Sequence, residues 1–393
     1  MEELIKKYAD KLVAQGLCEK EVPLIGGLDV ELIWNRDASE KSILEEVFSK
    51  LNINSLLFAP PKEPYFSILN YLAKKSFNLR EKAAIYPEDC ETRTFLHNIP
   101  VIKSFKSLDI VLALKQSKCV VIPDYGIVTW GTISPEQAFV FYSSVCFSAF
   151  VKFFTDYLYD YKKNKVEKEQ LGIFNLAAQY YQNFMRESKD FTFLQKSPFN
   201  EVEEVIKAMV QAGKLTVDCG MVDSFFGNIS FRLGDTIYIS QTGSSLDELA
   251  GYIDPCPLDG STCSGITASS ELAAHREIFL TTNNKSILHG HPRFCVIMSM
   301  FCPDKDSCVN AGRCHIKCTR ERFIADIPVV PGEVGTGPTG LCNTLPKAIK
   351  GRRGAIVYGH GLFTTGKEDF TDAFSSLMDI EKMCMEKYFS FFK

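Results

Sequence analysis

Residues 272–292 read LAAHREIFLTTNNKSILHGHP, a helix-like apolar pattern followed by a polar turn and a short apolar strand. Residues 42–61, SILEEVFSKLNINSLLFAPP, lie over residues 273–292 of this stretch without a gap. A second pair of segments repeats further on. Residues 119–139 are CVVIPDYGIVTWGTISPEQAF and residues 355–374 are AIVYGHGLFTTGKEDFTDAF. At a constant offset Gly126, Thr129, Gly131, Ala138 and Phe139 fall on Gly361, Thr364, Gly366, Ala373 and Phe374. Each of these two segments is preceded by an Ile-Pro-Val and a short helical pattern. Two coincidences in the same order point to an internal duplication of one α/β module.

The boundary between the halves is expected after the charged run YKKNKVEKEQ (161–170) and before Ser197-Pro198. This predicts a first domain over 1–165, a helical linker over 166–197 and a second domain over 198–393.

The differences between the halves carry the chemistry. His289, His291 and His360 fall on Phe58, Pro60 and Tyr125. The loop-rich stretch 213–271 has a much shorter counterpart, 16–40. The first half keeps the scaffold signals and lacks every candidate ligand, so it reads as a degenerate, non-catalytic copy.

In KSILHGHP, His289 and His291 stand at i and i+2 of a strand pattern, which projects both imidazoles from one face. In AIVYGHG, His360 sits at a strand end between glycines. Three imidazoles with an open fourth position are a catalytic rather than a structural metal arrangement. Upstream, Glu271 opens a helical pattern, with Ser269 and Ser270 where an N-cap belongs. N–H groups and hydroxyls at a helix start favour an anion. Gly227-Asn228 precedes the alternating strand of SFFGNISFR, and Thr242-Gly243 follows TIYIS. Glycines at strand ends allow the close backbone approach that a phosphate requires.

GNISFR, ISQTG, SSE, HGHP and GHG before TTG, in this order, resemble the class II aldolase/adducin family. The resemblance covers about residues 200–385. It implies that each half is an α/β/α sandwich around a mixed, largely antiparallel sheet. It further implies that His289, His291 and His360 bind zinc or another divalent metal such as Mn2+, Co2+ or Fe2+. Glu271 would be the catalytic acid/base, and Gly227, Asn228, Thr242, Gly243, Ser269 and Ser270 would hold a substrate phosphate. Family members include sugar-phosphate aldolases working through an enediolate, a pentulose-phosphate epimerase, dehydratases and decarboxylases, with adducin as a non-enzymatic branch. Glu rather than Asp at 271 resembles the aldolases and dehydratases more than the epimerases. Family relatives are commonly tetramers, so a tandem chain is expected to form a homo-oligomer, a dimer of two-module chains.

Composition sets the remaining expectations. With 393 residues, 23% charged and a net charge of −4, the chain has no basic excess to favour nucleic acid or anionic membranes. Hydrophobic residues at 46%, with 30 Phe and 15 Tyr, suffice for large cores. MEELIKKYADKL is a charged amphipathic start, and the uncharged run 137–151 falls short of the ~20 residues of a spanning helix. The expectation is a cytoplasmic enzyme with a phosphorylated-sugar substrate and mostly free thiols among its 14 Cys.

Two motifs stand apart. GTGPTG (335–340) has the form Gly-x-Gly-x-x-Gly, but no acidic residue follows at the distance a dinucleotide site needs, and Pro338 suits a rigid turn. CPDKDSCVNAGRCHIKC (302–318) spaces Cys302, Cys308, Cys314 and Cys318 by five, five and three residues. It is neither a zinc-ribbon nor a ferredoxin spacing. Free thiols, a second metal or iron–sulfur cluster, and a disulfide all remain open readings for it.

Overall fold

The computed structural model describes residues 1–77, 83–186, 193–223, 225–261, 267–318 and 320–392. The chain divides into two compact units, Met1–Arg186 and Glu187–Lys393.

The first unit begins with α1 (Glu2–Ala14), β1 (Leu24–Leu28), β2 (Leu32–Trp34), α2 (Lys41–Lys50) and β3 (Ser55–Ala59). It continues with α3 (Tyr65–Phe77), β4 (Ala84–Ile85), α4 (Cys90–Leu96), β5 (Ile99–Pro100) and α5 (Ser107–Leu114). It closes with β6 (Cys119–Ile122), β7 (Gly126–Gly131), α6 (Pro135–Lys162) and α7 (Lys168–Arg186). The five-stranded sheet runs β2-β1-β3-β7-β6 and is antiparallel throughout. Leu44, Val47 and Phe48 of α2 and Ile110, Val111 and Leu114 of α5 share one core with strand residues Leu24, Leu56, Phe58, Val120 and Val128. α1, α3 and α6 pack on strands of this sheet and on one another, and α6 also packs on α4 and α7.

α6 is long and apolar enough to cross a membrane by length and composition, and most of it is buried within the first unit. The charged run 161–170 does not open a linker. α7 packs back on α6, with Phe174 stacked on Tyr157 at 3.8 Å, because its apolar face needs a partner. Residues 187–192 of the expected linker, and Ser224 of SFFGNISFR, lie outside the described residues.

The second unit opens with α8 (Val202–Asp218), β8 (Asn228–Leu233), β9 (Thr236–Ser240), β10 (Ile253–Pro257) and α9 (Leu272–Thr281). β11 (Ser286–Gly290), α10 (Arg293–Met300), β12 (Arg322–Ile324), β13 (Ile327–Val330) and α11 (Leu341–Ile349) follow. β14 (Gly354–Val357), β15 (Gly361–Gly366) and α12 (Phe370–Ser390) complete it. Its eight strands run β10-β9-β8-β11-β15-β14-β13-β12, antiparallel except for the β13–β14 pair. α9 and α11 cover one face, through Ile278, Phe279, Leu341, Leu345 and Ile349. α10 and α12 pack on β11, β14 and β15 and on each other, while α8 packs chiefly on the short 3₁₀ turn Leu246–Glu248, and also on β8 and α12.

The two units share more than a strand order. β2-β1-β3-β7-β6 corresponds to β9-β8-β11-β15-β14, position for position. Ser55 pairs with Gly131 and Phe58 with Val128; Ser286 pairs with Gly366 and His289 with Phe363. The Ser55 hydroxyl donates to the Ser134 carbonyl at 2.7 Å, and the Ser286 hydroxyl to the Asp369 carbonyl at 2.6 Å. The parallel bridge Val101–Val121 repeats as Val329–Ile356, in the Ile-Pro-Val segments. The β6–β7 and β14–β15 turns each carry a left-handed residue, Asp124 (φ 64°) and Gly359 (φ 60°). Of the three further strands, β13 and β12 have their counterparts in the separate β5–β4 pair, and β10 has none among the described residues of the first unit, where the shorter 16–40 stretch stands.

Candidate metal centre

Two strand ends meet to form the site. β11 delivers His289 near its C-terminal end, and the chain carries His291 just beyond it. The neighbouring β14–β15 turn delivers His360. His289 and Leu362 lie on adjacent, antiparallel strands, and the Leu362 carbonyl lies 3.2 Å from His289 Nδ1. A carbonyl can only accept, so Nδ1 carries the proton and Nε2 presents its lone pair to the site.

His289, His291 and His360 are 1%, 3% and 4% exposed. Nε2 of His291 stands 3.1 Å from Nε2 of His289, which is 3.3 Å from Nε2 of His360, and the three ligand atoms lie within 4.8 Å of one another. Facing lone pairs at such distances repel unless a cation lies between them. Tetrahedral ligands at about 2.0–2.1 Å from one zinc stand about 3.3 Å apart, so this donor set fits a divalent ion. Burial, then the neighbouring imidazoles of His289 and His360, holds His291 well below the usual imidazole pKa and keeps it a neutral ligand.

The backbone makes room for this packing. A Cβ at Gly361 would lie 2.8 Å from His289 Cε1, 2.9 Å from His291 Cδ2 and 2.4 Å from the Gly290 carbonyl. Gly227 adopts φ +80°, and a Cβ there would lie 2.4 Å from the His289 carbonyl. Phe363 stacks on His289 at 3.9 Å and Phe226 on His291 at 5.6 Å. The His291 N–H donates to the Met221 carbonyl at 2.9 Å. α10 begins directly after this turn, and its second and third N–H groups, those of Phe294 and Cys295, donate to the buried carboxylate of Glu381 on α12, each at 2.8 Å. A helix start without its own cap residue is thus held by a distant carboxylate.

Glu271 occupies the N-cap position of α9 and is 5% exposed. Its Oε1 lies 3.4 Å from His360 Nε2 and its Oε2 3.6 Å from His289 Nε2. The Asn228 amide Nδ2 donates to Oε2 at 2.6 Å. The resemblance implies Asn228 as a phosphate contact, but the structure turns its amide nitrogen onto the carboxylate. The Asn228 Oδ1 is buried and has no partner among the described residues.

The remaining expected anion contacts are close together but partly committed. Thr242 Oγ1 accepts the Ser270 N–H at 3.0 Å, the Ser269 N–H donates to the Ser240 carbonyl at 3.0 Å, and Ser269 Oγ accepts the Glu271 N–H at 3.3 Å. The N–H groups of Ser269, Ser270 and Glu271 are therefore satisfied by the protein. What faces outward is the exposed Ser270 side chain and Gly243, whose left-handed backbone (φ +72°) has open space where a Cβ would stand.

Sequence reasoning missed His275. It is fully buried, one helical turn after Glu271, with Nδ1 2.6 Å from Ser230 Oγ and Nε2 without a partner among the described residues. Burial, opposed by the Glu271 carboxylate and then reinforced by His289, pushes its pKa down to about 3. The i+4 spacing from Glu271 was the available signal, since it places both on one helix face. The cysteines of 302–318 stand elsewhere: Cys302, Cys308, Cys314 and Cys318 are half-buried and in no disulfide.

A sequence profile of the Class II Aldolase and Adducin N-terminal domain matches residues 207–388. The L-fuculose phosphate aldolase of Methanococcus maripaludis is 27% identical over 165 residues, covering 41% of this chain and 84% of that protein. Among solved structures, L-fuculose-1-phosphate aldolase from Thermus thermophilus aligns with a TM-score of 0.38 at 22% identity, over 47% of this chain and 93% of its own. A sugar-phosphate aldolase from Thermotoga maritima aligns with a TM-score of 0.37 at 17% identity, over 49% of this chain and 98% of its own.

Proposed function

Residues 207–388 belong to the class II aldolase and adducin family, and on that premise we propose that the protein is a metal-dependent lyase. It would cleave and form a carbon–carbon bond in a phosphorylated ketose. The observation that carries this reading is the position of the Glu271 carboxylate, 3.4 and 3.6 Å from two imidazole nitrogens and fixed by Asn228. An acid–base group within reach of a Lewis-acid site is what proton transfer next to a carbonyl requires.

His289, His291 and His360 would hold the divalent ion, zinc being the first choice for three imidazoles. When bound, the ion supplies Lewis-acid stabilisation of the negative charge that develops on the substrate's oxygens. Glu271 takes and returns the proton at the carbon that bonds or breaks. Asn228 keeps the carboxylate turned toward the imidazoles while that proton moves. The burial of all four groups excludes bulk water and strengthens each electrostatic contact. The substrate phosphate would lie outside this cluster, against Thr242, Gly243 and the Ser270 hydroxyl, with Ser269 bracing the helix start.

The first unit repeats the sheet register and lacks the chemistry: Phe58, Pro60 and Tyr125 stand where the imidazoles are. We read it as a non-catalytic copy that serves assembly, in a cytoplasmic homo-oligomer.

The test is metal analysis of the purified chain, followed by a retro-aldol screen of ketose phosphates that starts with L-fuculose 1-phosphate and reports dihydroxyacetone phosphate. Metal at the trio with cleavage of at least one ketose phosphate supports the lyase. Water loss, decarboxylation or epimerisation in the same screen would move the reaction within the family. A metal-free protein inert in every assay would favour an adducin-like scaffold.

A further inference from the structure

The cysteine segment is an insertion with no core of its own. In the first unit the chain passes from Phe77 to Ala84 between helix and strand; the second unit goes from Met300 to Arg322 at the corresponding place. Among the described residues between these points there is only a short 3₁₀ turn, Lys305–Ser307. Its larger apolar side chains face outward, Val309 at 94% and Ile316 at 38% exposure. A loop of this length without secondary structure is uncommon and usually functional. Apolar burial does not hold it.

The thiols, by contrast, face inward. Cys302, Cys308, Cys314 and Cys318 all line one small cavity, whose wall also includes Lys317 and Arg322. The Arg322 guanidinium is fixed there by the carbonyls of Ser299 and Phe301, at 2.7 and 2.8 Å, and lies over the Tyr358 ring. Four thiolates would bring negative charge into the cavity, and these cations are placed to offset it.

We propose that Cys302, Cys308, Cys314 and Cys318 bind a thiolate-ligated metal centre, separate from the imidazole trio, of the iron–sulfur class. Small domains without a core are commonly tied together this way, because metal binding supplies the missing folding free energy. The arrangement of the thiols selects the class. Among the described residues the imidazole trio is the group of such side chains gathered tightly enough for one ion, and the thiols are not gathered so. A single zinc draws its four sulfurs to about 2.3 Å from one point. In a [4Fe–4S] cluster each cysteine takes its own iron, and the sulfurs surround the cavity instead of converging on one point.

The test uses the full chain purified without oxygen. Iron, zinc and acid-labile sulfide are measured in the wild type, in Cys308→Ser/Cys314→Ser and in His289→Ala/His291→Ala. The expected result is iron with sulfide in the wild type, retained in the histidine variant and lost in the cysteine variant. One zinc at the cysteines, without sulfide, would keep the site and overturn the cluster. Metal content unchanged by the cysteine substitutions would overturn the site itself. Thiol counting on the native wild type covers the case in which the cysteine variant does not fold. Four thiols that react only after a chelator is added support the proposal; four that react at once, or that need a reductant instead, overturn it.

Discussion

Asn228 on β8 donates its side-chain amide to Glu271 at the start of α9, across 2.6 Å and within a buried site. β8 pairs with β11 so that Asn228 stands opposite His289. One register therefore sets the distance between the carboxylate's clamp and an imidazole.

Glu271→Gln keeps the volume and the Asn228 contact but removes the acid–base group. We expect the variant to fold and to retain its metal at the trio, with turnover reduced about 10²–10⁴-fold. Asn228→Ala should leave the carboxylate less well aimed and cost about 10–100-fold in activity. Steady-state kinetics on a substrate found in the screen would decide both, and wild-type turnover in Glu271→Gln would falsify the acid–base role.

His275 makes the second unit sensitive to acid. Its folded pKa of about 3 is below the ordinary value of 6.5, so between these values the unfolded chain binds more protons than the folded one. The stabilisation is complete above pH 6.5 and is lost progressively as pH falls toward 3. His275→Asn removes this group, and its melting temperature should fall less between about pH 6.5 and 4 than that of the wild type. Parallel slopes for the two proteins would show that His275 is not buried as a neutral ring.

Glu381 holds the start of α10 through two N–H groups, directly after His291. Glu381→Ala leaves two buried donors without acceptors, and each such loss costs about 1–3 kcal/mol. The expected outcome is a lower midpoint in chemical denaturation together with weaker metal retention in dialysis against a chelator. Glu381→Gln, which can still accept, should lie between the variant and the wild type. Unchanged metal retention in Glu381→Ala would separate the cap from the site.

The tandem organisation predicts one imidazole-bound metal per chain. Two chains would place four modules in one assembly with two sites rather than four, so the expected oligomer is a dimer. Metal counted before and after His289→Ala/His291→Ala, alongside light scattering for mass, tests both statements. A second fully occupied catalytic metal within residues 1–160 would overturn the reading of the first unit as inert.

The sequence alone determined what periodicity and repetition encode. Ile287 and His289 stand at i and i+2 of one strand pattern, and the ungapped match between 42–61 and 273–292 pointed to one repeated module, which the structure shows as the matching registers of β3 and β11. The glycines at 126, 131, 361 and 366 marked the repeat, and the structure gives the reason: a side chain at these close backbone approaches would collide. The three histidines were legible as candidates for the same reason: each stands at a strand end. Other features depended on contacts between residues far apart in the chain. That Asn228 would spend its amide on Glu271, that the Ser269 and Ser270 N–H groups would be satisfied internally, and that Glu381 would cap α10 follow from no local pattern. Tertiary structure also decided that α7 packs on α6 rather than linking the units, since an amphipathic helix takes whichever apolar face lies within reach. Chain order sets which residues can face one another along a strand or helix; only the assembled sheet, which brings β8, β11 and β15 side by side, sets which of them touch.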